Sequence, residues 1–375
     1  MSGFFKIFEN ESFFCGVSGR GSDFSSEVGS LIDEALSKAP AGHKPVWFRF
    51  HLSDIANQEA ALRDCLARRA FRGATACVGQ APVCGAHAGL EAYFVSRARV
   101  THPREGTSCV EISAGRMLFF NTAVLASRGS GPQMTEEFAE AEKVIASFGG
   151  TVRENLQRTW IYCRDIDNNY AGLVAARREF FSERGLVPET HFIASTGIEG
   201  SSHPHDRLVR MDSLALFGHR PEQIRYLHAP EHLSPTHVYG VTFERGTRIV
   251  FGDRSHLYIS GTASIDKEGR TLYERDVVRQ TRRLLENVEA LLKAGESSLA
   301  DICQAVIYLR DPADYPAVRA IFDETLPEQA ARLIVRGSVC RPTWLVEMDA
   351  IAVSPRGESA FAPFTAPERR DASEE

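Results

Sequence analysis

The sequence lacks the features that would place it in or across a membrane. No apolar run approaches the roughly 20 residues that a membrane-spanning helix needs. The first residues, MSGFFKIFENESFF, show no cationic start followed by an apolar core and a small-residue cleavage site, so a signal peptide is not expected. The sequence therefore predicts a cytoplasmic protein with no membrane partner.

The chain also lacks a block of basic residues. Its 375 residues include 43 Lys and Arg against 49 Asp and Glu, which gives a net charge of −6. Nucleic acids attract proteins through clustered positive charge, so the composition argues against a nucleic-acid partner. Hydrophobic residues make up 43% and charged residues 25% of the chain, which is typical of a globular protein.

Neither a metal site nor a disulfide framework is expected. The eight cysteines are scattered, without a CxxC pair or a Cys/His spacing that would suit zinc. Reduced thiols fit the predicted cytoplasmic location. A GxxxxGK[ST] phosphate loop and a GxSxG nucleophile elbow are absent as well.

What the chain does contain is an internal repeat. LVEMDAIAV (345–353) echoes LVRMDSLAL (208–216), and QAVIYLRD (304–311) echoes RTWIYCRD (158–165). VWFRFHLSD (46–54) is a fainter third copy of the latter pattern. Each run has the apolar, β-branched composition of a strand and is followed or preceded by segments with helical periodicity.

The order strand, helix, strand, helix, strand thus occurs three times, which predicts an α+β chain of three similar modules. The predicted modules span 1–103, 111–220 and 236–353. The remaining segment, 354–375, is rich in proline and charge, and we expect it to be flexible.

These residues resemble a known family. YISGTASID (258–266), ICQAVIYLRDPADYPAVRAIF (302–322) and ARLIVRGSVCRPTWLVEMDAIAV (331–353) resemble the RidA/YjgF superfamily. That resemblance implies a chorismate-mutase-like fold, a small mixed sheet with two helices on one face, which normally forms homotrimers with sites between subunits. Three copies in one chain imply an intramolecular pseudo-trimer, and we expect a monomer.

A fused pseudo-trimer is similar to the chorismatases, which include the 3-hydroxybenzoate synthases. RTWIYCRDI (158–166), ASTGIEG (194–200) and SGTASID (260–266) look like stretches of that family. The resemblance implies a small-molecule substrate, chorismate, and chemistry without a cofactor: an acid protonates the enolpyruvyl group and pyruvate leaves. In the synthases, the ring hydroxyl then displaces pyruvate and the ring becomes aromatic.

The resemblance places the acidic residue of the site at Glu347 and an arginine fifteen positions earlier, at Arg332. Strand alternation puts Glu347 on one face with Leu345, Ile351 and Val353. Partial desolvation there should raise its pKa, as a general acid requires. We therefore predict that Glu347 is the general acid and that Arg332 anchors a substrate carboxylate.

Further residues are predicted to contact the substrate. Chorismate is a dianion, and arginine is the side chain best suited to carboxylates. In the second module Arg210 replaces the acid, which suggests that this module was recruited for binding; alternatively, Arg210 is a surface residue paired with an acid. Together with Arg332, the candidate substrate-binding residues are Arg158, Arg177, Arg210, Ser195, Thr196, Gly197, Ser260, Gly261 and Thr262.

Cys340 lies seven residues before Glu347, and the resemblance to the 3-hydroxybenzoate branch implies a cysteine in the site. A buried structural thiol is the other interpretation. The predicted reaction is the conversion of chorismate to 3-hydroxybenzoate and pyruvate. Alternatives are a hydrolytic chorismatase that gives a dihydroxycyclohexadiene carboxylate, a variant that also produces 4-hydroxybenzoate, a RidA-type enamine/imine deaminase and a non-catalytic binding module.

Overall fold

Three mixed β-sheets organise the protein in a computed structural model that describes residues 3–21 and 23–365. The first sheet has the strand order β1-β2-β5-β3-β4, with only β3 and β4 parallel. Its module comprises β1 (Phe4–Phe8), β2 (Glu11–Val17), α1 (Phe24–Lys38), β3 (Lys44–Leu52), α2 (Ile55–Arg68), β4 (Ala74–Gly79) and β5 (Ala88–Val95).

The second module follows the same plan. It comprises β6 (Arg99–Arg104), β7 (Thr107–Ile112), β8 (Gly115–Thr122), α3 (Ser130–Ser147), α4 (Val152–Asn155), β9 (Leu156–Cys163), α5 (Ile166–Glu183), β10 (Ala194–Glu199) and β11 (Val209–Phe217). The strand order is β10-β9-β11-β8-β7-β6.

The third module comprises β12 (Ile224–Tyr226), β13 (Gly246–Val250), β14 (Ser255–Ala263), α6 (Val277–Ala294), β15 (Ile302–Leu309), α7 (Tyr315–Thr325), β16 (Ala331–Arg336) and β17 (Val346–Ser354). Its strand order is β12-β13-β14-β17-β15-β16. The four-strand units β4-β3-β5-β2, β10-β9-β11-β8 and β16-β15-β17-β14 are thus one pattern repeated three times. The prediction of an α+β chain with three fused modules is confirmed.

The sheets divide the chain slightly differently from the predicted ranges. β6 pairs with β7 in the second sheet, although it lies at the end of the range 1–103. Residues after β17 continue to pack on the third module: Phe364 is fully buried, and its N–H donates to Oδ1 of Asp253 at 2.7 Å. The predicted flexible segment is therefore packed up to Thr365, and residues 366–375 lie outside the described part of the chain.

Amphipathic helices and the inner faces of the sheets together form the core. α6 shows the pattern most clearly, because Leu284, Leu285, Val288, Leu291 and Leu292 are buried along one stripe while the rest of the helix is polar. Hydrophobic contacts also join the three modules. One hydrophobic cluster contains residues of all three sheets, among them Trp47, Trp160 and Val306.

A buried ion pair also joins the first two modules. Nε of Arg49 donates to Oδ2 of Asp212 at 2.7 Å, and the guanidinium lies between the rings of Trp47 and Trp160 at 4.7 and 4.6 Å. Within residues 3–21 and 23–365, no helix is long and apolar enough to cross a membrane.

Candidate active site

Strand register shows which residues of the three modules are equivalent. In β16, β10 and β4, the same register position is held by Arg332, Ser195 and Thr75. In the central strands β17, β11 and β5, one register position carries a different kind of side chain in each module. The module interfaces therefore differ in the charge that they carry at this position.

Glu347, Arg210 and Gly89 are equivalent positions on these central strands. Glu347 faces the second module, where Thr196 Oγ1 accepts a hydrogen bond from the Gly261 N–H at 3.0 Å. Arg210 faces the first module, where its Nη1 donates to the carbonyl of Cys77. Each central-strand residue thus belongs to a different boundary between modules.

The predicted pair of Glu347 and Arg332 is not formed. In the ladders of β15, Arg332 lies opposite Ala305 and Glu347 lies opposite Tyr308. Ala305 and Tyr308 are three residues apart, so their side chains, and those of their partners, point to opposite faces of the sheet. The two residues of the expected pair therefore face different surroundings.

Arg332 instead lies at the boundary between the third and first modules. Its Nη2 donates to Oδ1 of Asp323 at 2.7 Å, and its guanidinium lies 4.2 Å from the ring centroid of Phe4. The lining of this pocket also includes Cys15 and Cys84. An ion pair and a cation–π contact already occupy Arg332.

Glu347 is buried at the boundary between the second and third modules. Burial and the neighbouring carboxyl of Asp349 raise its pKa, Arg245 and Arg158 lower it, and the net result is a pKa of about 8. The raised pKa that strand alternation predicts is thus present. At neutral pH the carboxyl is mostly protonated and is able to donate a proton.

Gly261 gives Glu347 its space. A Cβ atom on Gly261 would overlap Oε1 of Glu347, would lie 3.0 Å from its Cδ and would lie 3.2 Å from Cγ2 of Thr196. Only glycine therefore fits opposite the acid in its present position. The predicted glycine at this point of the SGTASID stretch has a clear steric reason.

Cys340 and Tyr170 lie next to the acid. Cys340 is partly buried and packs against the cores of both modules. Burial raises the pKa of its thiol to about 12, the charge of Glu347 acts in the same direction, and a hydrogen bond with Tyr170 lowers it. The thiol is therefore neutral at physiological pH and lies next to the acid.

Arg177 reaches the same place from helix α5. It lies seven residues after Tyr170, two helical turns along one face, and lowers the pKa of both Tyr170 and Cys340. Arg177 is fully buried, yet its Nε and Nη2 atoms find no hydrogen-bond partner among the described residues. Buried arginine N–H groups without a partner are suited to an anionic ligand.

Arg245 completes this group, which we call the Glu347 site: Glu347, Cys340, Tyr170, Arg177 and Arg245. Arg245 is buried just before β13 and donates from Nη2 to the carbonyl of Ser234 at 2.9 Å. The guanidinium groups of Arg177 and Arg245 lie 5.7 and 5.5 Å from the ring centroid of Phe243. Two arginines therefore lie near one aromatic ring, and Arg245 also acts on the acid.

Arg158 lies behind the site. It is fully buried, its Nη2 donates to Oγ1 of Thr196 at 2.5 Å, and it lies 3.5 Å from Oδ2 of Asp349. Thr196 Oγ1 and the hydroxyl of Tyr308 each donate to the same oxygen of Asp349 at 2.9 Å. Arg158 thus holds the residues that surround Glu347.

The predicted Ser and Thr residues hold the two modules together. The N–H of Ser195 donates to Oγ of Ser260 at 2.9 Å, and that hydroxyl donates to the carbonyl of Glu244 at 2.6 Å. Thr262 Oγ1 donates to the carbonyl of Ser260 at 2.9 Å. These hydroxyls are hydrogen-bonded within the protein, and Gly197 lies in β10 beside Tyr170.

Sequence reasoning missed Tyr170, Phe243 and Arg245. The seven-residue spacing of Tyr170 and Arg177 on a predicted helix was a usable signal for the first of these. Arg245 and Phe243 belong to no motif, because they lie in the irregular segment that leads into β13. Arg210, a predicted substrate contact, lies outside the Glu347 site.

Comparisons with known proteins place this geometry in a family. Residues 248–354 match the family model described as endoribonuclease L-PSP. The chain is 34% identical over 97 residues to the 3-aminoacrylate deaminase RutC of Acinetobacter baylyi. This match covers 26% of this chain and 77% of that protein. It is 27% identical over 217 residues to a 3-hydroxybenzoate synthase of Streptomyces hygroscopicus, covering 52% of this chain and 63% of that protein.

A solved structure shares the whole arrangement. The crystal structure of a chorismatase aligns with a TM-score of 0.65 and 19% identity, covering 92% of this chain and 100% of the other. That likeness extends over all three modules, whereas the family model matches the third alone. The chain belongs to the endoribonuclease L-PSP family, the RidA superfamily that its sequence resembles, and it has the fused three-module fold of a chorismatase.

Proposed function

We propose that this protein is a chorismatase that converts chorismate to 3-hydroxybenzoate and pyruvate at the Glu347 site. The observation that carries the proposal is a buried carboxyl with a pKa of about 8 that shares the neighbours Tyr170 and Cys340 with Arg177, a buried arginine whose Nε and Nη2 find no partner among the described residues. The similarity to a 3-hydroxybenzoate synthase and to a chorismatase structure supports it.

The first step is protonation. Glu347 gives its proton to the methylene carbon of the enolpyruvyl group, and positive charge develops on the adjacent carbon that bears the ether oxygen. Arg177 and Arg245 hold the two carboxylates of the substrate, and the ring of Phe243 lies between them. Positioning by two arginines keeps the methylene carbon within reach of the acid.

The second step releases pyruvate. The bond between the ring carbon and the ether oxygen breaks as the pyruvate carbonyl forms, and the ring hydroxyl oxygen closes onto that ring carbon. Loss of a ring proton with reopening of the C–O bond gives 3-hydroxybenzoate, so chorismate yields the two products without consuming water. The ring hydroxyl loses its proton as its oxygen bonds to the ring carbon, and that proton, exchanged through solvent, replaces the one that Glu347 gave up.

A simple assay tests the proposal against its rivals. Purified protein is mixed with chorismate, and separately with a system that generates 2-aminoacrylate, and the products are identified by chromatography. We expect 3-hydroxybenzoate and pyruvate in equal amounts from the first mixture and no accelerated loss of 2-aminoacrylate in the second. Deaminase activity without chorismate turnover would overturn the proposal, and inactivity in both would favour a binding module.

The deaminase alternative is weakened by the position of Arg332. The resemblance assigns Arg332 and Glu347 together to that chemistry, yet the two side chains point to opposite faces of the third sheet.

Arg177 is the proposed anchor of a substrate carboxylate. We expect Arg177→Gln to lower kcat/KM for chorismate by roughly 10- to 100-fold, because a charged hydrogen bond to the substrate is lost.

Arg332→Gln serves as the matched control. It should leave kcat/KM within a few-fold of the wild type, and it should lower the melting temperature because the ion pair with Asp323 and the contact with Phe4 are lost. Steady-state kinetics and thermal unfolding of both variants check this. A greater loss of kcat/KM in Arg332→Gln than in Arg177→Gln would restore Arg332 as the anchor.

The acid sets the pH dependence of the reaction. Glu347 must be protonated in order to act, and its pKa is raised to about 8. The rate constant kcat should therefore be nearly level from pH 6 to 7.5 and should fall about tenfold for each unit above about 8. A profile measured in a constant-ionic-strength buffer series checks this; a rate that increases with pH through this range would argue for a base instead.

Cys340 should determine the fate of the cation. Its neutral thiol fills space next to Glu347, so water is excluded and the ring hydroxyl reacts. In Cys340→Ala we expect room for a water, whose share of liquid volume is about 30 Å³. The product should shift from 3-hydroxybenzoate toward the dihydroxycyclohexadiene carboxylate, while total pyruvate falls less. An unchanged product ratio would leave Cys340 as a packing residue only.

A further inference from the structure

The boundary between the first and second modules contains a pocket that is separate from the Glu347 site. This pocket has a volume of about 790 Å³, and its lining contains Arg210 at the position equivalent to Glu347. The acid of the Glu347 site is thus replaced by a fixed positive charge. This boundary is therefore suited to binding an anion but has no proton donor at that position.

The lining of this pocket has an excess of positive charge. It includes five arginines and three glutamates. Two of the arginines are already paired, since Arg63 lies 2.5 Å from Glu59 and Arg104 lies 3.2 Å from Glu140. The remaining arginines, Arg72, Arg207 and Arg210, outnumber the remaining glutamate, Glu105.

Arg210 is the buried member of this group. It is 5% exposed, and its Nε has no hydrogen-bond partner among the residues that the structure describes. Its Nη2 lies 4.0 Å from Oδ1 of Asp212, whose other oxygen already binds Arg49 at 2.7 Å. Its Nη1 donates to the carbonyl of Cys77, so the unpartnered Nε is the part of this buried guanidinium with unused capacity for a negatively charged ligand.

Two other features suit an organic anion. Arg207 also lines the pocket, and its Nε too lacks a partner among the described residues. The lining also includes the apolar side chains of Leu66, Ala67 and Phe71. Phe71 stacks on Phe48 with ring centroids 4.2 Å apart, which holds its ring in place.

We propose that the pocket between the first and second modules binds a small organic carboxylate. The carboxylate is held by Arg210 and Arg207, and the apolar body of the ligand lies against Phe71 and Leu66. The pocket has the size of a typical small-molecule site. This inference concerns binding at a boundary separate from the Glu347 site, so it does not depend on chorismate cleavage.

Calorimetric titration with benzoate tests the proposal, and benzamide serves as the uncharged control of the same shape. We expect Arg210→Gln and Arg207→Gln each to bind one benzoate fewer per chain than the wild type, with affinity for the lost site reduced at least about tenfold. Benzamide should not bind at that site. Thermal unfolding shows whether each variant is folded. If Arg210→Gln does not fold, the titration of Arg207→Gln tests the proposal.

Competition with inorganic phosphate distinguishes a pocket that recognises a whole organic carboxylate from a patch of positive charge that attracts any anion. If benzoate binds by both its charge and its apolar body, phosphate should displace it from this site only at concentrations at least about tenfold higher. Unchanged benzoate stoichiometry and affinity in the folded variants would overturn the proposal. Displacement of bound benzoate by phosphate at concentrations similar to those at which benzoate itself binds would also overturn the proposal, because the site would then bind an adventitious ion only.

Discussion

Replacing Glu347 by Gln should abolish most of the chorismate-cleaving activity without unfolding the protein. Gln has the same shape but no transferable proton, and loss of a general acid typically costs about 10²- to 10⁴-fold in rate. We expect kcat to fall by at least about 10²-fold, with KM little changed because the arginines remain. Pyruvate release measured by a coupled assay checks this result.

The stability of the same variant gives an independent check. The pKa of Glu347 in the folded protein is raised to about 8 from an ordinary value of 4.5. Stability from the protonated carboxyl is therefore complete below pH 4.5 and is lost as the pH increases from 4.5 to 8. At pH 9 the Gln variant, which cannot ionise, should melt at a higher temperature than the wild type. A lower melting temperature at pH 9, or pyruvate release near the wild-type rate, would remove Glu347 from this role.

Gly261→Ala should be almost as damaging as the loss of the acid itself. The added methyl group would overlap Oε1 of Glu347, so the carboxyl has to move. A displacement of about 1 Å of a catalytic group costs on the order of 10²-fold in rate. We expect kcat to decrease by about that factor while every ionisable group of the site remains present.

Gly197→Ala is the matched control for this substitution. It lies on β10 across the same boundary, and its added Cβ would approach Cε2 of Tyr170 at 3.4 Å, an ordinary contact. Its activity should stay within a few-fold of the wild type. If both alanine variants are equally active, the close approach of Gly261 to Glu347 has no role in placing the acid.

Much of the fold follows from the sequence because strands and helices leave local periodic signals. The repeated patterns ending at Asp165 and Asp311, and the two copies of the LVxMD pattern, mark equivalent strands β9, β15, β11 and β17. Local patterns do not fix which face of an edge strand meets which neighbouring module. The expected Arg332–Glu347 pair failed for that reason: it depends on the register of β16 against β15 and β17.

The charge reversal between the two copies of the LVxMD strand also has a physical explanation. In a homotrimer every boundary carries the same residues, whereas a fused chain lets each boundary diverge. Glu347 is a buried acid at one boundary, Arg210 is a buried cation at another, and Gly89 has neither charge at the third. The alternative that Arg210 is a surface residue is wrong, because its side chain is buried and bonded to the carbonyl of Cys77.

The buried cations of the site were only partly predictable. Arg177 was among the candidates because arginine suits carboxylates, but its burial depends on the docking of α5 against the third module. Arg245 left no signal, since a single arginine before a short strand is common on protein surfaces. Its burial results from the segment between the modules, where the N–H of Glu244 donates to the carbonyl of Ile193 at 3.0 Å.

Turnover of chorismate in D₂O tests the central claim most directly. If Glu347 delivers a solvent-exchangeable proton to the enolpyruvyl methylene carbon, the pyruvate released should carry a single deuterium in its methyl group, alongside 3-hydroxybenzoate. Unlabelled pyruvate kept in the same buffer corrects for slow exchange, and mass spectrometry reads the label. Pyruvate without solvent deuterium would show that its hydrogen came from the ring of the substrate, and it would contradict acid catalysis by Glu347.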